Sequence, residues 1–135
     1  MRWYVDTSAA AKLLFEEAES RVLDQVLSTN EITLVACLLL EIELRRLVLR
    51  ENGSQADVTT LLDTIELAGL PAAVYRQAGL LPGTTLRSLD AIHLASALAL
   101  GVDAVLTYDT RMTEAAHAIG IAVEAPGASI NVTSR

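Results

Sequence analysis

Asp6 and Asp109 each stand immediately after a short β-prone run, Trp3-Tyr4-Val5 and Leu106-Thr107-Tyr108. Asp90 falls in the first turn of a helix that Ser88 is expected to cap, where the helix dipole favours an ionised carboxylate. A lone aspartate after a strand is common turn chemistry, but several acids converging on one edge of a fold are less easily explained that way. A fourth acid comes from Leu38-Leu-Leu-Glu41-Ile-Glu43-Leu-Arg45-Arg46. Two residues apart on a helix is a rotation of about 200°, so Glu41 and Glu43 cannot both face one cleft. Glu41 has Arg45 four residues on, the favourable direction for an exposed helix pair, and so has a structural role. Glu43 has Leu39, Leu40 and Leu47 as helical neighbours, borders an apolar face, and is the preferred candidate. Carboxylates gathered without histidine or cysteine partners suit a hard divalent cation, Mg²⁺ or Mn²⁺. Such a site can activate water and neutralise a phosphoryl oxygen.

The elements around these acids alternate. Trp3–Val5 reads as a strand, with Thr7 or Ser8 capping a helix over Ala9–Phe15. Glu16–Leu27 reads as a second helix with Val22, Leu23, Val26 and Leu27 on one side. Ile32–Val35 is a buried strand, and Leu38–Arg50 is a helix ended by Asn52-Gly53. Ser54–Leu62 (helix), Ile65–Leu67 (strand) and Pro71–Ala78 (helix) follow. After the Leu81-Pro-Gly83 turn come a long helix from Ser88 to Leu100, a strand at Ala104–Thr107, a helix at Arg111–Ile119 and a short strand at Ile121–Val123. Strands alternating with helices imply an α/β fold: a parallel sheet of about four or five short strands covered on both faces. In such sheets ligands bind at the carboxyl ends of the strands, where Asp6 and Asp109 are expected.

The 135 residues carry 17 acidic and 10 basic side chains, a formal charge of −7, with 52% hydrophobic and 20% charged residues. That composition excludes a disordered chain, and the length fits one domain over residues 1–135. A mean hydropathy of +0.40 raises the question of a membrane. The apolar runs Ile32–Leu40 and Ala91–Val102 are both shorter than the ~20 residues a spanning helix needs. With no apolar signal region in Met1–Asp6, a cytoplasmic protein without membrane association is expected. Cys37, the only cysteine, permits no disulfide and no thiolate zinc site. Among Leu34, Val35 and Leu38 it reads as a small buried residue. The acidic balance argues against a broad nucleic-acid-binding surface. Lys12 is the only lysine beside nine arginines, so phosphate contacts would fall to a few placed arginines.

Val5-Asp6-Thr7-Ser8-Ala9, Glu43-Leu-Arg-Arg46, Ser88-Leu-Asp90-Ala-Ile-His93-Leu-Ala and Leu106-Thr107-Tyr108-Asp109 together resemble the PIN-domain nucleases. More narrowly, they are similar to the VapC-type ribonuclease toxins of toxin–antitoxin pairs. The likeness runs in order from Val5 to about Val123, and the Leu-Asp-Ala-Ile-His-Leu-Ala stretch is its most specific part. It implies a three-layer α/β/α PIN-like domain and a Mg²⁺-dependent endoribonuclease toxin. It also implies an RNA substrate, a small cognate antitoxin and a homodimer. The family's four-acid metal site carries over to Asp6, Glu43, Asp90 and Asp109, with Ser8 and Thr107 at supporting positions. Cys37 departs from the pattern, standing where many relatives have serine, and the extra acid Glu41 leaves the helix register open by two residues.

Other features have plainer readings. His93, on the same helical face as Asp90, reads as a packed histidine and His117 as a surface or core residue. Arg46, Arg87 and Arg111 lie near the acids in sequence and could hold RNA phosphates or pair with those acids. The apolar early helices are core or a partner surface. The rival functions are a metal-dependent phosphatase and a catalytically silent PIN-like binding module.

Overall fold

The computed structural model describes residues 1–128, so the last seven residues of the expected 1–135 domain lie outside the described part. Its centre is a five-stranded sheet of β1 (Arg2–Val5), β2 (Thr33–Cys37), β3 (Ile65–Ala68), β4 (Ala104–Leu106) and β5 (Val123–Glu124). The strand order is β3-β2-β1-β4-β5, and every pairing is parallel. The helices are α1 (Thr7–Leu14), α2 (Ser20–Thr29), α3 (Leu39–Arg50), α4 (Gln55–Leu62), α5 (Ala72–Ala78), α6 (Ser88–Leu100) and α7 (Thr110–Ala118). Helices α1 to α4 pack on one another, while α5 packs on α6 and α6 on β2, giving the three-layer α/β/α arrangement.

The central strands are apolar on both sides, as a doubly covered sheet demands: Tyr4, Val5, Ala36, Cys37 and Leu106 have no exposed surface. Helix α6 buries Leu94 together with Ala91, Ala95 and Ala97, and the three alanines let it lie close to its neighbours. It ends at Gly101, whose left-handed backbone (φ +63°) a Cβ would strain. No helix among the described residues is long and apolar enough to cross a membrane.

The chain steps outward from β1 to β2 to β3, then returns through α5 and α6 to the other side of β1 for β4 and β5. The strand order therefore reverses between β1 and β4. A crevice opens at the carboxyl ends of strands at such a reversal, and Asp6 and Asp109 follow those two strands.

Two expected helix caps differ. The residue capping α1 is Asp6 itself, and the first helix residue of α6 is Ser88, with Arg87 as a cap that makes no side-chain hydrogen bond. Helix α2 begins at Ser20 rather than Glu16. Lys12 draws Glu17 and Glu19 into ion pairs of 2.9 and 2.8 Å, holding the acids that read as a first helical turn in the preceding loop.

Candidate active site

Asp6 is almost fully buried, at 3% exposure. The backbone N–H of Asp6 still bonds to the Leu106 carbonyl in the sheet, at 3.2 Å, so the strand must turn at this residue. Its Oδ1 accepts from the Ala9 amide at 3.0 Å and the Ser8 hydroxyl at 2.8 Å; its Oδ2 accepts from the Thr107 hydroxyl at 2.5 Å. Each hydroxyl has one proton. With both protons spent on Asp6, the 3.2 Å approach of Ser8 Oγ to Thr107 Oγ1 is a contact rather than a further strong bond. The same two hydroxyls accept the amides of Tyr108 (2.9 Å) and Asp109 (3.1 Å). Ser8 and Thr107 thus stitch the end of β1 to the turn after β4. Burial pushes the Asp6 carboxyl above its ordinary value, and the bonds from Thr107, Ser8 and Ala9 only partly offset this.

Asp109 is half-buried and caps α7, its Oδ1 accepting from the Arg111 amide at 2.8 Å and, more weakly, from Met112 at 3.4 Å. Asp90 is half-buried in the first turn of α6. Burial raises its carboxyl, and the like charges of Asp109 and Glu43 raise it further against Arg87 and His93. That repulsion reports three acids brought to one neighbourhood. Arg87 Nε approaches Asp90 Oδ2 at 3.6 Å, a loose pair, exposed on the arginine side and worth little in water.

Glu43 and Glu41 separate as their spacing requires. Glu41 pairs with Arg45 at 2.8 Å on the outer side of α3. Glu43 turns inward, where its Oε1 accepts from Thr7 Oγ1 at 2.5 Å and from His93 Nε2 at 2.6 Å. Burial opposes its charge, but the bonds from His93 and Thr7 win and hold its carboxyl below the ordinary value. An ionised carboxylate only accepts, so His93 Nε2 carries the proton.

His93 is packed, as its sequence position suggested, with 2% exposure. Its Nδ1 lies 2.7 Å from the Tyr4 hydroxyl, and the two rings meet edge-on at 5.6 Å. The Tyr4 hydroxyl donates to Cys37 Sγ at 3.2 Å and accepts the Cys37 amide at 3.2 Å. Burial pulls the imidazole down, but the Cys37 sulfur and Glu43 on either side lift it to about 9. The Cys37 thiol is pushed up by burial and brought down to about 7 by His93, Tyr4 and Ser96. Cys37 itself is fully enclosed. The side chains of His117, Arg46 and Arg111 are exposed and make none of these bonds.

Sequence reasoning missed Tyr4 and Thr7. A buried tyrosine needs a partner for its hydroxyl, which was the one available signal for Tyr4. Thr7 was absorbed into the capping expectation. Among the described residues no group of three or more His, Cys, Asp and Glu side chains is arranged to hold a metal ion. The donor chemistry nevertheless fits a hard cation: oxygen donors only, and mutual repulsion at Asp90 that a positive charge would relieve.

An all-parallel, three-layer domain with acids gathered where its strand order reverses belongs to the class of α/β proteins that work at the carboxyl edge of the sheet. The PIN domain profile matches residues 3–118. Ribonuclease VapC35 of Mycobacterium tuberculosis is 38% identical over 131 residues, covering 92% of this chain and 96% of that protein. Among solved structures, Mycobacterium tuberculosis VapC20, described as a sarcin–ricin-loop-cleaving toxin, superposes with a TM-score of 0.70 at 18% identity. It covers 90% of this chain and 96% of its own. A toxin–antitoxin complex from Klebsiella pneumoniae gives a TM-score of 0.63 at 18% identity, over 82% of this chain and 89% of that one. The chain belongs to the PIN domain family, within its VapC group.

Proposed function

We propose that the chain is a Mg²⁺-dependent endoribonuclease, the toxin of a toxin–antitoxin pair, hydrolysing RNA phosphodiester bonds through Asp6, Glu43, Asp90 and Asp109. The observation that carries this reading is the stitched β1–β4 edge, which fixes buried Asp6 beside Asp109, with Glu43 anchored inward from α3. The VapC relatives support the ribonuclease activity by name, and the Klebsiella pneumoniae complex supports a small antitoxin as partner. A homodimer is part of the same reading.

Asp6, Glu43, Asp90 and Asp109 would hold Mg²⁺ or Mn²⁺, hard cations that take oxygen ligands. When bound, such an ion supplies water activation and charge neutralisation at the scissile phosphate. The chain's own part is placement. Three donors on Asp6 remove its freedom to rotate, while Thr7 and His93 fix one oxygen of Glu43. Asp90 and Asp109, each half-buried, stay reachable from solvent and from a bound strand.

The test incubates the protein with single-stranded RNA and, separately, with a small phosphate monoester, in Mg²⁺ and in EDTA. The expected result is RNA cleavage in Mg²⁺ that EDTA abolishes, with the ester intact. Hydrolysis of the ester alone would replace this reading by a phosphatase, and inertness towards both by a silent binding module. Within the same assay Glu43→Gln removes cleavage by orders of magnitude. Glu41→Gln loses only a half-exposed i,i+4 ion pair, worth about 0.3–0.5 kcal/mol of stability, and cleaves like wild type. The reverse pattern would hand the site to Glu41.

A further inference from the structure

Glu43 is held differently from the other acids. Asp6 and Asp109 are short side chains fixed by helix-capping bonds, whereas a glutamate has an extra rotatable bond and must be oriented by something outside its own helix. Two donors, Thr7 Oγ1 and His93 Nε2, converge on the same atom, Oε1. They fill the acceptor positions of that oxygen and leave Oε2 free of hydrogen bonds among the described residues. His93 is in turn fixed on its other side. Tyr4 of β1 faces its Nδ1, and the Tyr4 hydroxyl is pinned by both the sulfur and the amide of Cys37 at the end of β2. A buried chain of polar groups therefore runs from two central strands, through α6, to one acid on α3. A histidine needed only for packing would be satisfied by Tyr4 and a backbone carbonyl. This one directs its Nε2–H at a carboxylate of the catalytic edge, one helical turn after Asp90.

We propose that His93 is a positioning residue: anchored by Tyr4 and Cys37, it locks Glu43 Oε1 so that Oε2 is the oxygen presented to the divalent cation. This inference rests on the reading of Glu43 as a site acid. Partners that orient metal-binding side chains typically change metal affinity or activity by about 10–100-fold when removed, and a loss of that size is expected here.

The discriminating pair is His93→Gln and His93→Asn. Both lose the ring and so share its packing cost. The longer glutamine amide can still reach Glu43, while the asparagine amide reaches only towards Tyr4. Mn²⁺ affinity, measured by water-proton relaxation, is expected to fall about 10–100-fold in His93→Asn and to recover towards wild type in His93→Gln, with similar melting temperatures for both. Because His93 acts through Glu43, adding His93→Asn to Glu43→Gln should weaken Mn²⁺ binding no further. Wild-type affinity in a folded His93→Asn, with Glu43→Gln impaired, would overturn the positioning role and leave the nuclease reading standing. Unchanged affinity in Glu43→Gln as well would bring down both. Should His93→Asn fail to fold, the wild-type imidazole answers by proton NMR. A downfield Nε2–H signal, protected from exchange and displaced in Glu43→Gln, is expected, and its absence would overturn the proposal.

Discussion

Burying the Asp6 carboxylate has a cost that its pH dependence should reveal. Its folded-state value lies above the ordinary 3.8 because burial outweighs the three bonds it accepts. Over the range between the unfolded and folded values, the folded protein holds more proton than the unfolded chain, so stability falls as pH rises through that range. Asp6→Asn removes the charge while keeping an oxygen for Ser8 and Ala9. In EDTA the variant should melt at or above the wild-type temperature at neutral pH, the two curves converging towards pH ~4, while RNA cleavage is lost. A wild type more stable than Asp6→Asn at pH 7 would contradict the sign. His93 shifts the opposite kind of group in the same direction: its value is raised from 6.5 to about 9. Its contribution is full below pH 6.5 and is lost as pH rises through about 9. Cys37, held at about 7 against its ordinary 9.0, contributes stability that grows as pH rises through the same window and offsets this loss. Metal-free wild type should therefore show a nearly flat melting series between pH 7 and 9, and Cys37→Ser should uncover a downward slope. A Cys37→Ser series that stays flat would contradict it. The separation of Glu41 from Glu43 was legible because helical geometry alone decides it. The Tyr4–His93–Glu43 chain was not, since it joins residues 4, 43 and 93, which no local pattern relates.

At the scale of elements, the sequence located every strand and helix to within a few residues, and its misses were the starts of α1 and α2. Asp6-Thr7-Ser8 offers three consecutive side chains able to cap a helix. What decides among them is the sheet: the Asp6 amide still pairs with β4, so the turn falls there and its carboxylate takes the cap. Lys12 likewise shortens α2 through ion pairs that cross a loop. Capping matters for interpretation, because Asp6 and Asp109 have structural duties beside their proposed catalytic ones, whereas Asp90 caps nothing. Asp109 separates the two duties cleanly. Asparagine caps as well as aspartate, so Asp109→Asn should keep wild-type stability, whereas Asp109→Ala should lose about 0.5–2 kcal/mol. Both should cleave RNA poorly if the carboxylate serves the site. Full cleavage by Asp109→Asn would reduce Asp109 to a cap, and denaturant unfolding beside the cleavage assay reads both effects.

The whole molecule adds a constraint that no single element shows. Its strand order, and hence the reversal that brings β1 beside β4, depends on long-range pairing, and the sequence could supply only the alternation from which a parallel sheet follows. Its charge, by contrast, was legible from the start: a net −7 with one lysine argues against a broad cationic surface on which to lay RNA. Arg46, Arg87 and Arg111 are exposed; only Arg87 has an acid partner among the described residues, and that pair is loose at 3.6 Å. Each phosphate neutralised on a single strand contributes a slope of about 0.7 to the dependence of log affinity on log salt. Three arginines therefore cap the slope at about 2. Binding of a non-cleavable single-stranded RNA at fixed Mg²⁺, measured across KCl concentrations, should stay within that limit, and Arg87→Ala should lower the slope by about 0.7. A slope several times steeper would require more cations than these three arginines supply, and would mean that they do not carry the RNA alone. A shallow slope unaffected by Arg87→Ala would leave Arg87 to its loose pair with Asp90. The acids would then have to recognise the phosphate through the cation alone.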